Sequence, residues 1–508
     1  MSIGDRVVRG SIVLSIGSIT SLAIASIGSI VIARVLGPDN YGLIPVVMIA
    51  PNILMVLSDL GVSTAITRYA PMKGYGSPYI ITGIIIKVSA GVLASILLTL
   101  LAGYIAEALG RPYVEPYIRL LAILIIENSI VSAITSALIG LGGYLVSASI
   151  QVTLTILRVL ISTSLVVAGF GVLGAILGHI IAWSVLAFLS LIVLLTYIGS
   201  PSKPSLGVAK EILAYSIPLY LPGLLGIPLA QLYYSILVRV SSNWELGNLG
   251  VAGNLMTVIG SIGGAISTSL LSSLPLLVGD KDGLSRALEK SILYTALIMP
   301  AIAGGVIVLS EPLLLTFYGH SYHIAPLYAS IMALSVMLAP LGFYVWGPYM
   351  ASIGKTTVIL KSEFLKAVIG TPLYITLTLA LGVIGYLVAS IMASAITTIY
   401  ILRVALGTEV YVDLKSAFKM MTPTVIALTT TTPLLLTLDN ILLKWTLSPL
   451  TYGTILALVT PVIVGSEMLM EMTSVLRKVG FIGSFIALAI NIDIMIAEKI
   501  WGVGGKRS

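Results

Sequence analysis

The chain contains no cysteine and only two glutamines, Gln151 and Gln231, among its 508 residues. Without cysteine, disulfide frameworks, thiolate nucleophiles and cysteine metal sites are all excluded. Few thermolabile residues would suit a thermophile, but a membrane composition produces the same scarcity. Charge is also thin. Asp, Glu, Lys and Arg together make 9% of the sequence, against about a quarter in ordinary soluble domains. The three histidines, His179, His320 and His323, show no metal-ligand spacing, and no Asn-x-Ser/Thr acceptor is present. Composition therefore argues against a soluble enzyme, a metalloprotein and a nucleic-acid binder.

What is abundant is apolar length. Hydrophobic residues make 58% of the chain and mean hydropathy is +1.10. Fourteen apolar segments follow one another from 11–34 to 449–467. Most are about 18 residues or longer, enough to span a bilayer as helices. Short alternating segments, as in an outer-membrane barrel, are not the pattern. The expected fold is an all-α polytopic membrane protein with about fourteen transmembrane helices, arranged as two pseudo-symmetric six-helix lobes plus two C-terminal helices. Arg6 and Arg9 precede the first apolar run as in a signal peptide. That run reaches Ala33, too long for a signal h-region, so a retained first span is expected.

Lys and Arg are distributed unevenly. Seventeen fall in the even-numbered connections and the two ends, and five (Arg34, Arg111, Arg119, Arg239 and Lys444) in the odd-numbered ones. The positive-inside rule then places both termini in the cytoplasm, and a cell-membrane location follows. The C-terminal region, with Arg477, Lys478, Asp493, Glu498 and Lys499, reads as an interfacial amphipathic tail or as a fifteenth span.

An internal repeat organises the chain. "ARVLGPDNYGLIPV" begins at Ala33 and "VRVSSNWELGNLGV" at Val238. Arg34 to Gly42 matches Arg239 to Gly247, and Gly143, Gly171 and Gly174 match Gly354, Gly382 and Gly385. Six helices per copy give both copies the same topology, as in parallel repeats. The expected divisions are an N-lobe at 1–198, a cytoplasmic linker at 199–210, a C-lobe at 211–404, helices 13 and 14 at 405–470, and a tail at 471–508. In the repeated motif the first helix should end near Leu36, with Gly37 as C-cap and Asp39 as N-cap of the next helix. Arg34 and Arg239 are then either snorkelling interfacial arginines or cations facing each other across an inter-lobe cleft.

Two apparent motifs are empty. Gly354-Lys355-Thr356 resembles the end of a P-loop, but Tyr349 stands where the pattern needs glycine. "GFGVLG" at 169–174 fits GxGxxG between two membrane helices, where no soluble strand precedes it. No nucleotide, cofactor or metal is expected, and the protein should not be an enzyme.

Intramembrane charges are the functional candidates, because each costs at least about 2.5–3.5 kcal/mol to insert. Lys87 lies ~12 Å into helix 3 and Glu127 ~15 Å into helix 4. They form either a structural ion pair or a proton- or sodium-sensitive pair coupled to movement. Asp59 should pair with Arg68 or a helix terminus. Arg158 in helix 5 and Lys366 in helix 11 lie ~18 Å and ~15 Å deep on repeat-equivalent helices. Acidic partners for them are scarce, with Glu363 near Lys366. They suit either a cavity that receives an anion or structural pairing with neighbouring helices.

These residues carry a resemblance. The layout, with "ARVLGPDNYG", "DLGVSTAITRYAP" and "FYGHSY", resembles the multidrug/oligosaccharidyl-lipid/polysaccharide (MOP) exporter superfamily, most nearly its polysaccharide biosynthesis, Wzx-type flippases. The resemblance implies translocation of an isoprenoid diphosphate-linked oligosaccharide from the cytoplasmic to the outer leaflet by alternating access, in a cationic cavity where Arg158, Lys366, Arg34 and Arg239 would act. It implies an anionic lipid-linked glycan, membrane lipids and a coupling ion (Na⁺ or H⁺) as partners, with glycan-assembly enzymes beside them, and no nucleic acid. The alternative is an ion-coupled exporter of small molecules of the multidrug type, with Glu127 or Asp59 essential. A membrane scaffold for glycan assembly would instead be indifferent to every intramembrane charge. The arginine-aspartate-arginine cluster of lipid II flippases is not evident, and drug exporters of the superfamily usually have twelve helices.

Overall fold

The structure is a computed structural model. It describes residues 3–73, 77–198, 202–220, 223–277, 279–408, 410–438 and 440–476, with isolated positions at 488, 490–492 and 495. Most of the tail expected at 471–508, including Arg477, Lys478, Asp493, Glu498 and Lys499, lies outside the described residues, as do the start of the 199–210 linker and the side chains of Arg6 and Arg9.

Among the described residues there is no strand. Eighteen α-helices run in order: α1 (Ile3–Val47), α2 (Ile49–Asp59), α3 (Val62–Lys73), α4 (Pro78–Ala108), α5 (Glu115–Leu121), α6 (Ile123–Gly140), α7 (Tyr144–Leu165), α8 (Gly171–Ile198) and α9 (Leu206–Tyr220). Then come α10 (Gly223–Val240), α11 (Asn243–Ser273), α12 (Lys281–Tyr318), α13 (Ala325–Leu334), α14 (Trp346–Ser352), α15 (Thr356–Leu406), α16 (Leu414–Thr437), α17 (Ile441–Val464) and α18 (Ser466–Leu476). Among the described residues, eight helical segments are long and apolar enough to cross a membrane. Three of them run for 60, 54 and 51 residues, about twice or more the ~20 that one crossing needs. These three doubles and five singles supply eleven crossings. The bent pair Ala325–Leu341 and Trp346–Ser352, the α9–α10 pair and α16 bring the number to fourteen. The protein is an all-helical, multi-pass membrane protein.

The repeat is written in the backbone. Gly171 has φ 57°, ψ −138°, and Gly382 has φ 58°, ψ −132°. Both lie in a region that a side chain would strain, and both break a long apolar helix into two crossings. At the preceding turn the structure shifts the expected register by one. Gly142 (φ 82°), not Gly143, is the counterpart of Gly354 (φ 74°). Gly143 N and Lys355 N donate to Leu138 O and Met350 O at 2.7 and 2.9 Å. The repeat offset is therefore 212 at this turn and 211 at the next, and α7 remains equivalent to the first part of α15.

Two compact units emerge from the packing: Met1–Asn254 with Tyr374–Gly385, and Leu255–Leu373 with Tyr386–Ser508. In the first, Val62, Ile66, Ile80, Ile134 and Leu138 form the centre of a buried core shared by α3, α4 and α6. Helix α9 is fastened to this core. Tyr79 donates its hydroxyl to Glu211, the Arg68 guanidinium sits 4.3 Å from the centre of the Tyr215 ring, and Tyr233 of α10 stacks on Tyr374 at 4.1 Å. In the second unit, Trp346, Tyr349 and Met350 are fully buried against α12. Lys444 of α17 donates to both carboxylate oxygens of Glu311 on α12, at 2.6 and 2.7 Å.

Candidate functional site

The first copy of the motif ends its helix at Leu36 as expected, but the next helix starts without the expected cap. Only Gly37 leaves helical geometry, at φ 71°, ψ 169°. The helix resumes at Pro38, whose fixed φ suits a first turn. Asp39 therefore falls inside the helix and caps nothing, while the Asn40 side chain donates to Leu36 O at 3.2 Å. The second copy is built differently. Ser242 and Glu245 make a reciprocal capping box at the start of α11: Ser242 N donates to Glu245 Oε2 at 2.8 Å and Glu245 N to Ser242 Oγ at 3.2 Å.

The two copies touch each other. A Cβ on Gly42 would lie 2.0 Å from Asn243 O, and one on Gly247 would lie 2.0 Å from Pro38 O. Pro38 and Asn243 are themselves 205 apart, as are Gly42 and Gly247, so the contact is reciprocal. Arg34 is exposed and has no partner among the described residues. Arg239 is exposed too, with Nη1 3.5 Å from Ala108 O. The buried arginine of this region is Arg111, 7% exposed, which the sequence reading passed over. Its guanidinium donates to Asn243 Oδ1 at 2.8 Å, Ser241 O at 2.7 Å, Leu109 O at 3.3 Å and Val238 O. Three of these acceptors belong to the second motif copy.

The ion pairs also differ from expectation. Lys87, 2% exposed, does not pair with Glu127. Its Nζ lies 2.5 Å from Asp59 Oδ1 and donates to Ser63 Oγ, which in turn donates to Asp59 Oδ1 at 2.6 Å. Asp59 is accordingly not the partner of Arg68, which lies over Tyr215. The backbone explains the difference. Leu60 and Gly61 take left-handed conformations at φ 50° and 71° and break the helix directly after Asp59. Depth estimates ignore such a break, and they say nothing about which way a helix face points. Glu127 accepts instead from Ser184 Oγ of α8, and its buried Oε2 has no partner among the described residues.

Arg158 on α7 is half-buried and has neither a carboxylate nor a hydrogen-bond partner among the described residues. It is within electrostatic reach of His179 on α8. The two helices meet closely here, with Ser162 Oγ donating to Ala175 O at 3.2 Å. Lys366 on α15 is likewise half-buried and has no ion-pair or hydrogen-bond partner among the described residues; Glu363, one turn away, does not engage it. Among the described residues no group of three His, Asp or Glu is placed to hold a metal ion.

The first unit also holds a cavity of about 490 Å³. Asn52 and Asp59 of α2, Asn128 of α6, Gln231 of α10 and Tyr220 supply its polar wall, and Met55, Val56 and Ile227 the apolar part. Tyr220 donates to Val56 O. The carboxamides of Asn52, Asn128 and Gln231 have no hydrogen-bond partner among the described residues. The sequence held one signal for this cavity: Gln231 is one of only two glutamines in the chain, set in an apolar run.

The architecture is that of known transporters. The lipid II flippase MurJ in an inward closed conformation superposes with a TM-score of 0.74, at 15% identity, over 89% of this chain and 98% of that one. An inward-facing multidrug resistance MATE transporter of the MOP superfamily gives 0.64, at 15% identity, over 78% and 96%. A MOP superfamily transporter from Pyrococcus furiosus, described as having a binding pocket of reverse polarity, gives 0.59 at 17% identity, over 81% and 96%. These likenesses define the class: a membrane protein with the MOP transporter fold. The family model for polysaccharide biosynthesis proteins matches residues 31–326, more than half of the sequence, and the chain belongs to that family. No curated protein matches the sequence.

Proposed function

We propose that this protein is a flippase that moves an isoprenoid diphosphate-linked oligosaccharide from the cytoplasmic to the outer leaflet by alternating access, without chemistry of its own. The observation that carries the reading is Arg158, a guanidinium on a membrane-spanning helix with no carboxylate or hydrogen-bond partner. An uncompensated cation in a bilayer is expensive and is retained for a function. A diphosphate crossing a low-dielectric region needs fixed donors in place of water, and a guanidinium offers them in paired geometry. Lys366 has the same lack of partners on the repeat-equivalent helix. Family membership supports a glycan-bearing substrate. Arg34 and Arg239, both exposed, contribute in this reading to the approach of the headgroup. The protein would sit in the cell membrane with both termini cytoplasmic, among membrane lipids and beside glycan-assembly enzymes.

The test is flipping of a labelled isoprenyl diphosphate oligosaccharide by the full chain in proteoliposomes. Arg158→Glu and Lys366→Glu should each lower the rate at least ten-fold. Full activity in both variants would remove the assignment of these cations.

A second reading, an exporter of small molecules driven by Na⁺ or H⁺, draws support from Glu127, whose buried Oε2 is unpartnered. It requires Glu127→Gln to abolish gradient-driven efflux, with Arg158→Glu tolerated.

A further inference from the structure

We propose that the cavity between α2, α6 and α10 is a sugar subsite, which holds the first, uncharged saccharide unit of the headgroup. The inference rests on the flippase reading and specifies where its glycan binds. Three carboxamides, Asn52, Asn128 and Gln231, converge on this space with no protein partner. Each brings two N–H donors and a carbonyl acceptor. All three side chains are partly exposed to this space, so they can be met by a ligand that both donates and accepts. A hydroxyl-rich or acetamido-bearing ring does both at many points.

Charge narrows the choice further. Asp59 is the acid on the cavity wall, and Lys87 already compensates it at 2.5 Å. A free cation gains little from a carboxylate that is neutralised from behind. A phosphate, which only accepts, would meet the remaining carboxylate oxygen unfavourably. A neutral polyol suits the wall as it stands, with Asp59 as acceptor, and Met55, Val56 and Ile227 offer apolar surface to the C–H faces of a ring. The volume, about 490 Å³, falls within the ~300–1,000 Å³ of small-molecule sites.

One hydrogen bond links the helix that carries Asn128 to the helix beside the cation. Asn128 adjoins Glu127, which is bonded to Ser184 of α8. Five residues back along α8, ~7.5 Å along its axis, is His179, the neighbour of Arg158. The first unit thus supplies a cationic position on α7 and a neutral hydrogen-bonding cavity lined by α2, α6 and α10, the two elements that a diphosphate followed by a sugar requires.

The test compares two probes on the full-length protein in nanodiscs: farnesyl diphosphate, and the same lipid diphosphate carrying one N-acetylglucosamine. Wild type should bind the glycosylated probe at least ten-fold more tightly. Asn128→Leu should erase most of that preference and leave affinity for farnesyl diphosphate unchanged. Gln231→Met, which keeps size and removes the amide, serves as the second variant if the first does not fold. Equal affinity of wild type for both probes overturns the subsite alone, since diphosphate binding would still stand. Preference retained in the variants overturns it as well. Loss of sodium dependence in the variants with the sugar preference intact would make the cavity a cation site and overturn it. Failure to bind either probe overturns the functional reading along with the subsite.

Discussion

The two copies of the Arg-x7-Gly motif solve one structural problem by different means. At Arg34–Gly42 the bend is internal. One glycine leaves helical geometry, a proline restarts the helix, and no side chain from elsewhere is needed. At Arg239–Gly247 the bend is a capped helix start. Ser242 and Glu245 satisfy each other, and Arg111, from the connection after α4, bonds the carbonyls of Val238 and Ser241 and the side chain of Asn243. What the copies keep in common is the glycine that ends each motif, because each faces the other copy's backbone at a distance that excludes a Cβ. Duplication preserved the contact and let the means of bending diverge.

The contact itself is the place to strike hardest. Gly42→Val and Gly247→Val each drive a side chain into backbone that cannot yield, so each should cost more than about 3 kcal/mol and act alike. Thermal unfolding in detergent would show it, and one variant tolerated with the other lethal would break the reciprocity. Next in size is Arg111→Ala, which strips charge-assisted bonds from buried carbonyls and should cost about 2–3 kcal/mol. Arg34→Ala, at an exposed position without partners, should stay within about 0.5 kcal/mol. Equal stabilities for these two variants would mean the second copy needs no external fastening. Smallest is the cap: Glu245→Ala should cost about 1 kcal/mol, and Asn40→Ala in the first copy less. Denaturant unfolding of the two variants side by side checks that order.

Apolar length and glycine spacing made the helical plan readable, and Gly171 and Gly382 proved to share one backbone conformation as their spacing suggested. The one-residue shift at Gly142 was not readable, because Gly142 and Gly143 are adjacent and only dihedral angles distinguish them. The site was legible in part. Hydropathy identified Lys87, Glu127, Arg158 and Lys366 as costly charges, but partner choice depends on helix rotation and on local breaks. Leu60–Gly61 redirected Lys87 to Asp59 in this way. Arg111 sat in a short polar connection, where a solvated arginine is the ordinary expectation. The cavity amides were missed because attention to charge passes over neutral polar side chains. In an apolar helix these are rare enough to be read as carefully as ions.

The pairing of Lys87 with Asp59 has an electrical consequence. The pair carries no net charge, so displacing it along the membrane normal does no work against the transmembrane voltage. An arginine without a counter-ion is different. Carried across the whole field, it exchanges about 2.3 kcal/mol for every 100 mV. Of Lys87 and Arg158, the arginine is thus the one that would sense membrane potential, and binding an anion there would change the sign of what it senses.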